Sequence, residues 1–262
     1  MDLKLKGKRA LVLAASRGLG FATAMGLARE GTALVICSRD QGRIDEAAAK
    51  IRGATGVRVE AVSADVSSAD EAVRLVGHAV ATLGGLDIVV HNAGGPPSGP
   101  FLSITEVQWH QAFEQNLMSF IRLVQAAAPE LKKAGGGRIL TIASSSIKQP
   151  VPGLVTSNTL RAGIWGLAKT LAKELGPDNI LVNVVAPGRI QTERIDELDQ
   201  ATATRRGVEV EQVKRESVGT IPLGRIGTPD EFASMLVFLA SDAARYITGQ
   251  AITVDGGAMN AL

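Results

Sequence analysis

Short runs of valine, isoleucine and leucine recur along the chain and alternate with longer segments of helical periodicity. Seven runs have the length and composition of buried strands. They cover residues 9–13, 33–37, 57–62, 86–90, 138–143, 180–185 and 251–254. Strands that are apolar throughout and separated by helices are typical of an α/β fold with a doubly wound parallel sheet. The pattern predicts a sheet of about seven strands in a single domain over residues 1–262.

Several helix starts can be located from their capping residues. Ser68, Thr105 and Thr228 each have Glu or Gln three residues later, which is the spacing of a capping box. Asp40 is predicted to cap a helix over 41–51.

The stretch 192–222 departs from the strand–helix rhythm. It is polar, charged and longer than the usual connection of about 2–6 residues. In an open α/β fold, such an insertion near the carboxyl end of a strand is either a substrate lid or a solvated surface excursion. We take the lid as the working hypothesis and keep the surface excursion as its alternative.

The turn that follows the first strand has the composition of a nucleotide-binding site. Its residues are Ser16, Arg17, Gly18, Leu19 and Gly20. The start of a helix exposes unpaired N–H groups at the positive end of the helix dipole, and glycine lets a phosphate approach the backbone closely. The serine hydroxyl and the arginine guanidinium suit a further phosphate. The alternative is a strand–turn–helix that uses glycine for packing alone.

The end of the second strand bears on the choice of cofactor. In dinucleotide folds an acidic residue there binds the ribose diol of NAD, whereas an arginine accommodates the additional phosphate of NADP. Here Ser38 is followed by Arg39, which together with Arg17 can clamp a phosphate. This favours NADP(H) over NAD(H). The other interpretation makes Arg39 a solvent-facing residue at the start of a helix.

The next two strands also end in small and polar residues, where ligand contacts collect in this topology. Asp65 can accept a hydrogen bond from an adenine amino group or serve as a turn residue, and Ala93 and Gly94 leave room for a flat ring. His91 beside them is either a proton relay or, as we favour, a packed histidine.

Composition excludes several classes of protein. The chain has 262 residues, a net charge of +2 and 3% aromatic residues, so it offers no stacking platform for nucleic acid. No apolar run is long enough to span a membrane and no signal peptide is evident, which predicts a cytoplasmic protein. The single cysteine, Cys37, excludes an internal disulfide and is expected in the core, and we expect no metal site.

Together these motifs resemble the short-chain dehydrogenase/reductase family, of the type that includes 3-oxoacyl-carrier-protein reductases. The resemblance spans the chain, from the glycine turn through Asn92-Ala93-Gly94, Asn116 and Ser144 to Pro187-Gly188 and the tail Val254-Asp255-Gly256-Gly257. It implies a Rossmann-like sheet, bound NAD(P)(H), and a homo-oligomer, a tetramer or dimer, built through helices near 105–133 and 157–176. It adds Val66, Asn92, Pro187, Gly188 and Ile190 to the predicted cofactor-binding residues.

The chain departs from this family at the catalytic pair. The family uses a tyrosine as the acid and a lysine four residues later, which also holds the cofactor ribose; here Ser157 and Arg161 occupy those positions. The only tyrosine, Tyr246, lies in the tail, where we expect packing or a local hydrogen bond. A serine hydroxyl is a much poorer acid than a phenol, whereas arginine keeps a positive charge but does not readily release a proton.

These residues lead to two hypotheses. In the first, the protein is an NADP(H)-dependent oxidoreductase of a small carbonyl or alcohol, in which Ser144, Ser157 or Asn116 holds a water that supplies the proton and Arg161 binds the cofactor and stabilises an oxyanion. In the second, it is an inactive relative that binds a dinucleotide as a structural or sensed ligand. The pocket is expected to be apolar, with residues from 95–104, 145–156 and 192–222; its expected apolar members are Pro96, Pro97, Phe101, Pro150, Val151, Pro152 and Leu154.

Overall fold

The computed structural model describes residues 2–261 and has a seven-stranded sheet at its centre. The strands are β1 (Arg9–Val12), β2 (Ala33–Ser38), β3 (Val59–Ser63), β4 (Ile88–His91), β5 (Gly137–Ile142), β6 (Ile180–Pro187) and β7 (Ala251–Val254). Their order is β3-β2-β1-β4-β5-β6-β7, and every neighbouring pair is parallel. The predicted fold is therefore confirmed, with strand ends that differ from the prediction by at most two residues.

Helices cover both faces of this sheet. They are α1 (Gly18–Arg29), α2 (Gln41–Thr55), α3 (Glu71–Leu83), α4 (Glu106–Phe113), α5 (Ser119–Lys133), α6 (Val155–Glu174), α7 (Glu193–Arg206), α8 (Val210–Gly219) and α9 (Pro229–Ala240). A π-helical turn over Glu114–Met118 joins α4 to α5. Within residues 2–261, none of these helices is both long and apolar enough to cross a membrane.

The core has two parts because successive strand residues point to opposite faces of the sheet. Ala10 and Val12 belong to one buried cluster, which also contains residues of α1, α2 and α9. Leu11 and Leu13 belong to a second cluster with residues of α3, α5 and α6. This alternation explains why the strands are apolar along their whole length. Because all neighbouring strands are parallel, their carboxyl ends lie along one edge.

Most of the predicted helix caps are present in the structure. Thr105 and Thr228 form complete capping boxes, and the Asp40 side chain accepts a hydrogen bond from the backbone N–H of Arg43 at the start of α2. The Ser68 box is wrong: α3 begins later, and the backbone N–H of Ser68 donates to the carbonyl of Asp65 in the preceding turn. Ser68 therefore belongs to a local turn around Asp65 and not to the start of the helix, as the spacing had predicted.

The region 192–222 consists mainly of the helices α7 and α8. The sequence pattern did not predict these helices. Asp199 of α7 is buried, and both of its carboxylate oxygens lie 2.6 Å from a guanidinium nitrogen of Arg189. This ion pair fixes α7 to the segment that follows β6, so the region is packed against the end of the sheet.

Two single residues test the sequence interpretation further. Cys37 is buried in the core as expected, and burial raises the pKa of its thiol to about 12. Tyr246, by contrast, is fully exposed, and within residues 2–261 its hydroxyl makes no hydrogen bond. The expectation that it packs or bonds locally is wrong, because Ala244 and Ile247 on either side supply the contacts with the core.

Candidate active site

A cavity of about 1480 Å³ opens at the carboxyl ends of the central strands. It brings together nearly all of the predicted site residues. Those that line it are Ser16, Arg17, Gly18, Leu19, Ser38, Arg39, Asp65, Val66, Asn92, Ala93, Gly94, Ser144, Ser157, Arg161, Pro187, Gly188 and Ile190. Of the predicted site residues, only Gly20 and Asn116 lie behind the wall.

The turn between β1 and α1 needs glycine for two separate reasons. Gly18 has a φ of +59°, in the left-handed region that favours glycine. Gly20 is tightly packed: a Cβ there would lie 2.3 Å from the carbonyl oxygen of Ala14 and 2.8 Å from Nδ2 of Asn92. That same Nδ2 donates a 3.2 Å hydrogen bond to the Ala14 carbonyl. Gly20 therefore acts by allowing this packing, which holds the turn against β4.

This turn fits the phosphates of a dinucleotide. Arg17 occupies the N-cap position of α1, and its side chain makes no capping hydrogen bond. The first N–H groups of the helix therefore have no side-chain cap, and they lie beside Ser16 and Gly18 on the cavity wall. Backbone donors of this kind at the positive end of a helix suit an anion.

The two arginines of the predicted clamp lie on the cavity wall with different partners. Arg17 forms an ion pair with Glu193 at the start of α7. Arg39 is exposed, and its charge helps to lower the pKa of Asp65. Both guanidinium groups border the same cavity, although Arg17 is paired with the protein's own carboxylate.

Asp65 and Ser38 are ordered by local hydrogen bonds. The Asp65 carboxylate accepts from the backbone N–H of Ser67 at 3.0 Å and from its hydroxyl at 2.7 Å. Burial alone would raise the pKa of Asp65, but the bonds from Ser67 and the charge of Arg39 lower it overall. The Ser38 hydroxyl donates to the carbonyl of Asp40. The turn role considered for Asp65 is thus present, and its carboxylate still borders the cavity.

Ser144 and Ser157 form a polar wall on the other side of the cavity, and the buried Ser146 lies behind them. Ser144 follows β5, and its Oγ accepts a 3.2 Å hydrogen bond from the backbone N–H of Ser146. The hydroxyl of Ser146 lies 3.2 Å from that of Ser157 on α6. The resemblance identified Ser144 and Ser157 but not Ser146, which joins them; no spacing in the sequence indicates that link.

Arg161 lies one turn beyond Ser157 on α6 and is 4% exposed. Its Nη1 donates a 2.8 Å hydrogen bond to the carbonyl of Ile142, whereas its buried Nε has no partner among the described residues. Burial lowers the pKa of Arg161 to about 10, so the group still carries its charge at neutral pH. The wall therefore holds a buried cation with unused donors.

Asn116 lies in the π-helical turn and is completely buried. Its Nδ2 donates to the carbonyl of Ala112, and its Oδ1 has no partner among residues 2–261. Ser119 closes the same turn, because its hydroxyl donates to the carbonyl of Gln115 at 2.6 Å. π-Helical turns of this kind are frequent at functional sites.

His91 is packed against this turn and does not reach the cavity lining. Its Nδ1 lies 2.9 Å from the hydroxyl of Thr141, and its Nε2 lies 2.9 Å from that of Ser119. Burial, with a smaller contribution from the charge of Arg161, lowers the pKa of His91 to about 3. The packed histidine is confirmed, and the proton relay has no support because both ring nitrogens are bonded within the protein and His91 does not border the cavity.

The outer part of the cavity is bordered by α7 and two loops. Nη2 of Arg194 donates a 3.0 Å hydrogen bond to the carbonyl of Pro96, so α7 contacts the loop after β4. The apolar lining includes Pro96, Pro150, Val151, Pro152 and Leu154 as expected. Pro97 and Phe101 do not line the cavity; Phe101 begins a short 3-10 turn before α4 and its ring points outward, 65% exposed.

Known proteins resemble the chain over almost its whole length. A family profile described as enoyl-(acyl carrier protein) reductase matches residues 13–259. Dehydrogenase/reductase SDR family member 4 of Homo sapiens is 37% identical over 255 residues, which cover 97% of this chain and 88% of that protein. The 3-oxoacyl-[acyl-carrier-protein] reductase FabG of Aquifex aeolicus (strain VF5) is 35% identical over 257 residues, covering 98% and 99%.

A solved structure is similar to a comparable extent. It is that of L-sorbose reductase from Gluconobacter frateurii, complexed with NADPH and L-sorbose. The TM-score is 0.94 at 32% sequence identity, and the match covers 100% of both chains. The similarity therefore includes the cavity and the elements that surround it.

Proposed function

The chain belongs to the short-chain dehydrogenase/reductase family of NAD(P)-dependent oxidoreductases, and from this we propose that it is an NADP(H)-dependent reductase or dehydrogenase of a carbonyl or alcohol with an atypical serine–arginine site. One observation supports this most strongly. The phosphate-binding turn of α1 and the polar wall of Ser144, Ser157 and Arg161 border the same cavity. A cofactor and a small substrate can therefore share one site.

Different groups on the cavity wall would contact different parts of the dinucleotide. The open N–H groups at the start of α1 would bind phosphate, and Asp65 and Asn92 would border the adenosine and the nicotinamide side. Arg17 and Arg39 would bind the additional phosphate of NADP, since a guanidinium pairs well with phosphate oxygens. The NADPH bound to the similar L-sorbose reductase supports this choice.

The reaction would add a hydride and a proton across a C=O bond. Bound NADPH would supply the hydride and become NADP⁺, and the carbonyl would be reduced to an alcohol. Ser144 and Ser157 would hold the substrate oxygen and a water, and this water would pass a proton from bulk solvent to the oxygen. Arg161 would stabilise the developing negative charge, because it keeps its own charge in a buried setting where such contacts are strong.

The second hypothesis remains a binding protein without catalysis, favoured by the absence of a phenol at position 157. Activity measurements separate the two. The purified protein would be tested with NADPH and a broad panel of aldehydes and ketones, and with NADP⁺ and the corresponding alcohols, by following the absorbance of the reduced nicotinamide. We expect turnover of at least one class. Binding of NADPH without any turnover would favour the structural or sensing role.

The proposal includes a homo-oligomer, a tetramer or dimer, formed through α4, α5 and α6. Val107 and Phe113 on α4 are partly or largely exposed apolar residues, which supports a buried position for this helix in an assembly. Light scattering after gel filtration would give the mass in solution. A monomer at all concentrations would exclude this part of the proposal.

A further inference from the structure

The buried cation on the polar wall has no counter-ion. Arg161 is 4% exposed, and its one hydrogen bond is donated to the neutral carbonyl of Ile142. Within residues 2–261, no carboxylate lies within 4 Å of its guanidinium. A buried charge is costly unless it is paired, so an anion is missing from this part of the site.

The protein's own carboxylates around the cavity are engaged elsewhere. Glu193 pairs with Arg17, and Glu197 pairs with Arg194. The Asp255 carboxylate accepts hydrogen bonds from the backbone N–H groups of residues 257 and 259. The other three carboxylates of the lining are engaged as well: Asp40 caps α2, Asp65 accepts from Ser67, and Asp230 pairs with Arg29. None of the six supplies the missing charge.

A bound dinucleotide would not supply it either. Its negative charges are on the phosphates, which we assign to the start of α1 and to Arg17 and Arg39. The ribose hydroxyls and the nicotinamide amide bring no negative charge to Arg161. The anion must therefore come from the other molecule in the cavity, which is the substrate.

The surroundings of Arg161 are suited to a carboxylate. Arginine has five N–H donors in a fixed fork that matches a carboxylate, and only one of them is used by Ile142. Ser157 borders the cavity on the same wall, and its hydroxyl lies 3.2 Å from that of the buried Ser146. Serine at position 157 is also small, so it leaves space where a larger side chain would fill the wall.

The position of the cation relative to Ser157 limits where the charge lies on the substrate. Ser157 and Arg161 are four residues apart on α6, and side chains at this spacing are neighbours, about 5–6 Å apart at Cβ. Both also border the cavity next to Ser144. A group bound by the serines and a group bound by the arginine must then be close together in one molecule.

We infer that the substrate carries a carboxylate directly beside its reacting carbon, which makes it a 2-oxo acid or, in the oxidative direction, a 2-hydroxy acid. Arg161 pairs with the carboxylate and keeps a further donor for the neighbouring carbonyl or hydroxyl oxygen, which Ser144 and Ser157 hold. This inference rests on the proposed function for the redox step and names the substrate class of the same site.

The first test is a binding measurement that does not depend on turnover. Oxamate, an unreactive analogue of a 2-oxo acid, would be titrated by calorimetry into protein saturated with NADP⁺, so that the phosphate site is filled. We expect binding by wild-type protein and an affinity at least about tenfold lower in Arg161→Gln, because a hydrogen-bonded charge contact is lost. The matched control, Arg245→Gln, removes an exposed arginine away from the cavity and should keep the wild-type affinity.

The second test compares substrates that differ only in charge. The value of kcat/KM for a 2-oxo acid should exceed that for its methyl ester at least about tenfold in the wild-type protein, and the preference should disappear in Arg161→Gln. Arg161→Lys, which keeps a charge but not the fork, serves if the glutamine variant does not fold, as judged by circular dichroism; it should bind oxamate more weakly than the wild type.

The outcomes distinguish the two proposals. Failure of oxamate to bind, or equal loss of binding in Arg245→Gln, would overturn the carboxylate assignment. So would an ester reduced as well as its acid, which would leave the reductase function intact. Oxamate binding at Arg161 without turnover of any carbonyl would contradict the proposed redox function and still support the carboxylate site.

Discussion

The two sides of the cavity satisfy their polar groups in different ways. On the side of β1, β2 and β3, Asp65 is bonded to Ser67, and the carbonyl of Ala14 accepts a hydrogen bond from Asn92 at the end of β4. On the side of β4, β5 and β6, Nε of Arg161 and Oδ1 of Asn116 are buried without a partner. The first side leaves open only the uncapped start of α1 and the exposed Arg39, whereas the second contains buried side-chain atoms that have no partner among the described residues.

This difference indicates how stability and function are divided. Unsatisfied buried groups cost stability and are typical of functional sites, whereas a packed turn contributes to both folding and binding. We therefore expect substitutions in the phosphate-binding turn to weaken folding and cofactor binding together. Substitutions that remove polar groups from the wall should raise the stability of the protein and lower its activity.

The largest expected effect comes from replacing both Ser157 and Arg161 on the polar wall. The double variant Ser157→Tyr/Arg161→Lys introduces the pair usual in the family. If the present pair is functional, the new side chains fill the space at Ser157 and remove the arginine fork, and we expect kcat/KM for the native substrate to fall at least about 100-fold. Steady-state kinetics would measure this. A large gain in reductase activity would instead mean that the site has decayed.

The next effect tests the packed turn. Gly20→Ala places a Cβ 2.3 Å from the Ala14 carbonyl oxygen, so we expect the free energy of unfolding to fall by about 2–3 kcal/mol and NADPH binding to weaken. Urea denaturation and calorimetry would measure the two effects. Gly53→Ala in α2 is the matched control, since its Cβ meets nothing within 4 Å, and it should not destabilise the protein. Equal behaviour of the two variants would contradict this account of the turn.

His91 should make stability depend on pH. Burial lowers its pKa from 6.5 to about 3, so the unfolded chain binds a proton that the folded chain does not bind between these values. The stability from this group is present at pH 7 and is lost as the pH falls. Between pH 7 and about pH 5 the loss should be about 2 kcal/mol greater than in His91→Asn, by urea denaturation at each pH. Parallel pH profiles of the two proteins would refute the buried neutral histidine.

Removing the charge from the polar wall should change the stability of the protein in the opposite direction to the substitution in the turn. Arg161→Met replaces an unpaired buried cation by an apolar side chain, and we expect the ligand-free protein to become more stable by about 1–2 kcal/mol. The same variant should lose activity. Thermal and urea unfolding without ligands would measure the stability. A destabilised variant would show that Arg161 is held by the fold for structural reasons.

The smallest effect concerns the contact between the two sides. Glu193 on α7 pairs with Arg17 at an exposed position. Glu193→Gln would free the guanidinium for phosphate, so we expect NADPH to bind about two- to fivefold more tightly, the range of an exposed ion pair. NADH, which lacks the additional phosphate, should bind as before. An equal gain for both cofactors would show that Glu193 does not compete with the additional phosphate for Arg17.

The sequence predicts the strands and the helix starts better than it predicts the contacts of the polar wall. Apolar runs locate all seven strands because a parallel sheet buries both faces, and the Thr105 and Thr228 boxes locate two helices because capping is local. Ser68 shows the limit of a local signal, since a turn around Asp65 took its place. The helices α7 and α8 were missed because their residues are mostly polar and lack a clear apolar face.

The polar wall depends on contacts that the sequence does not display. Ser144, Ser157 and Arg161 were located through a family resemblance, but the link through Ser146 and the missing counter-ion of Arg161 appear only in three dimensions. Phe101 and Tyr246 were placed wrongly for the same reason: a side chain's direction in a surface turn does not follow from its neighbours in sequence. The preference for NADP(H) remains a prediction.

Calorimetric titration of the purified protein with NADPH and with NADH tests the central claim most directly. The account predicts binding of both, with NADPH at least about tenfold tighter because Arg17 and Arg39 meet its additional phosphate. Tighter binding of NADH would contradict the clamp. No heat with either cofactor at millimolar concentrations would contradict the whole account, since both the reductase and the ligand-sensing role require the turn at α1 to bind a dinucleotide.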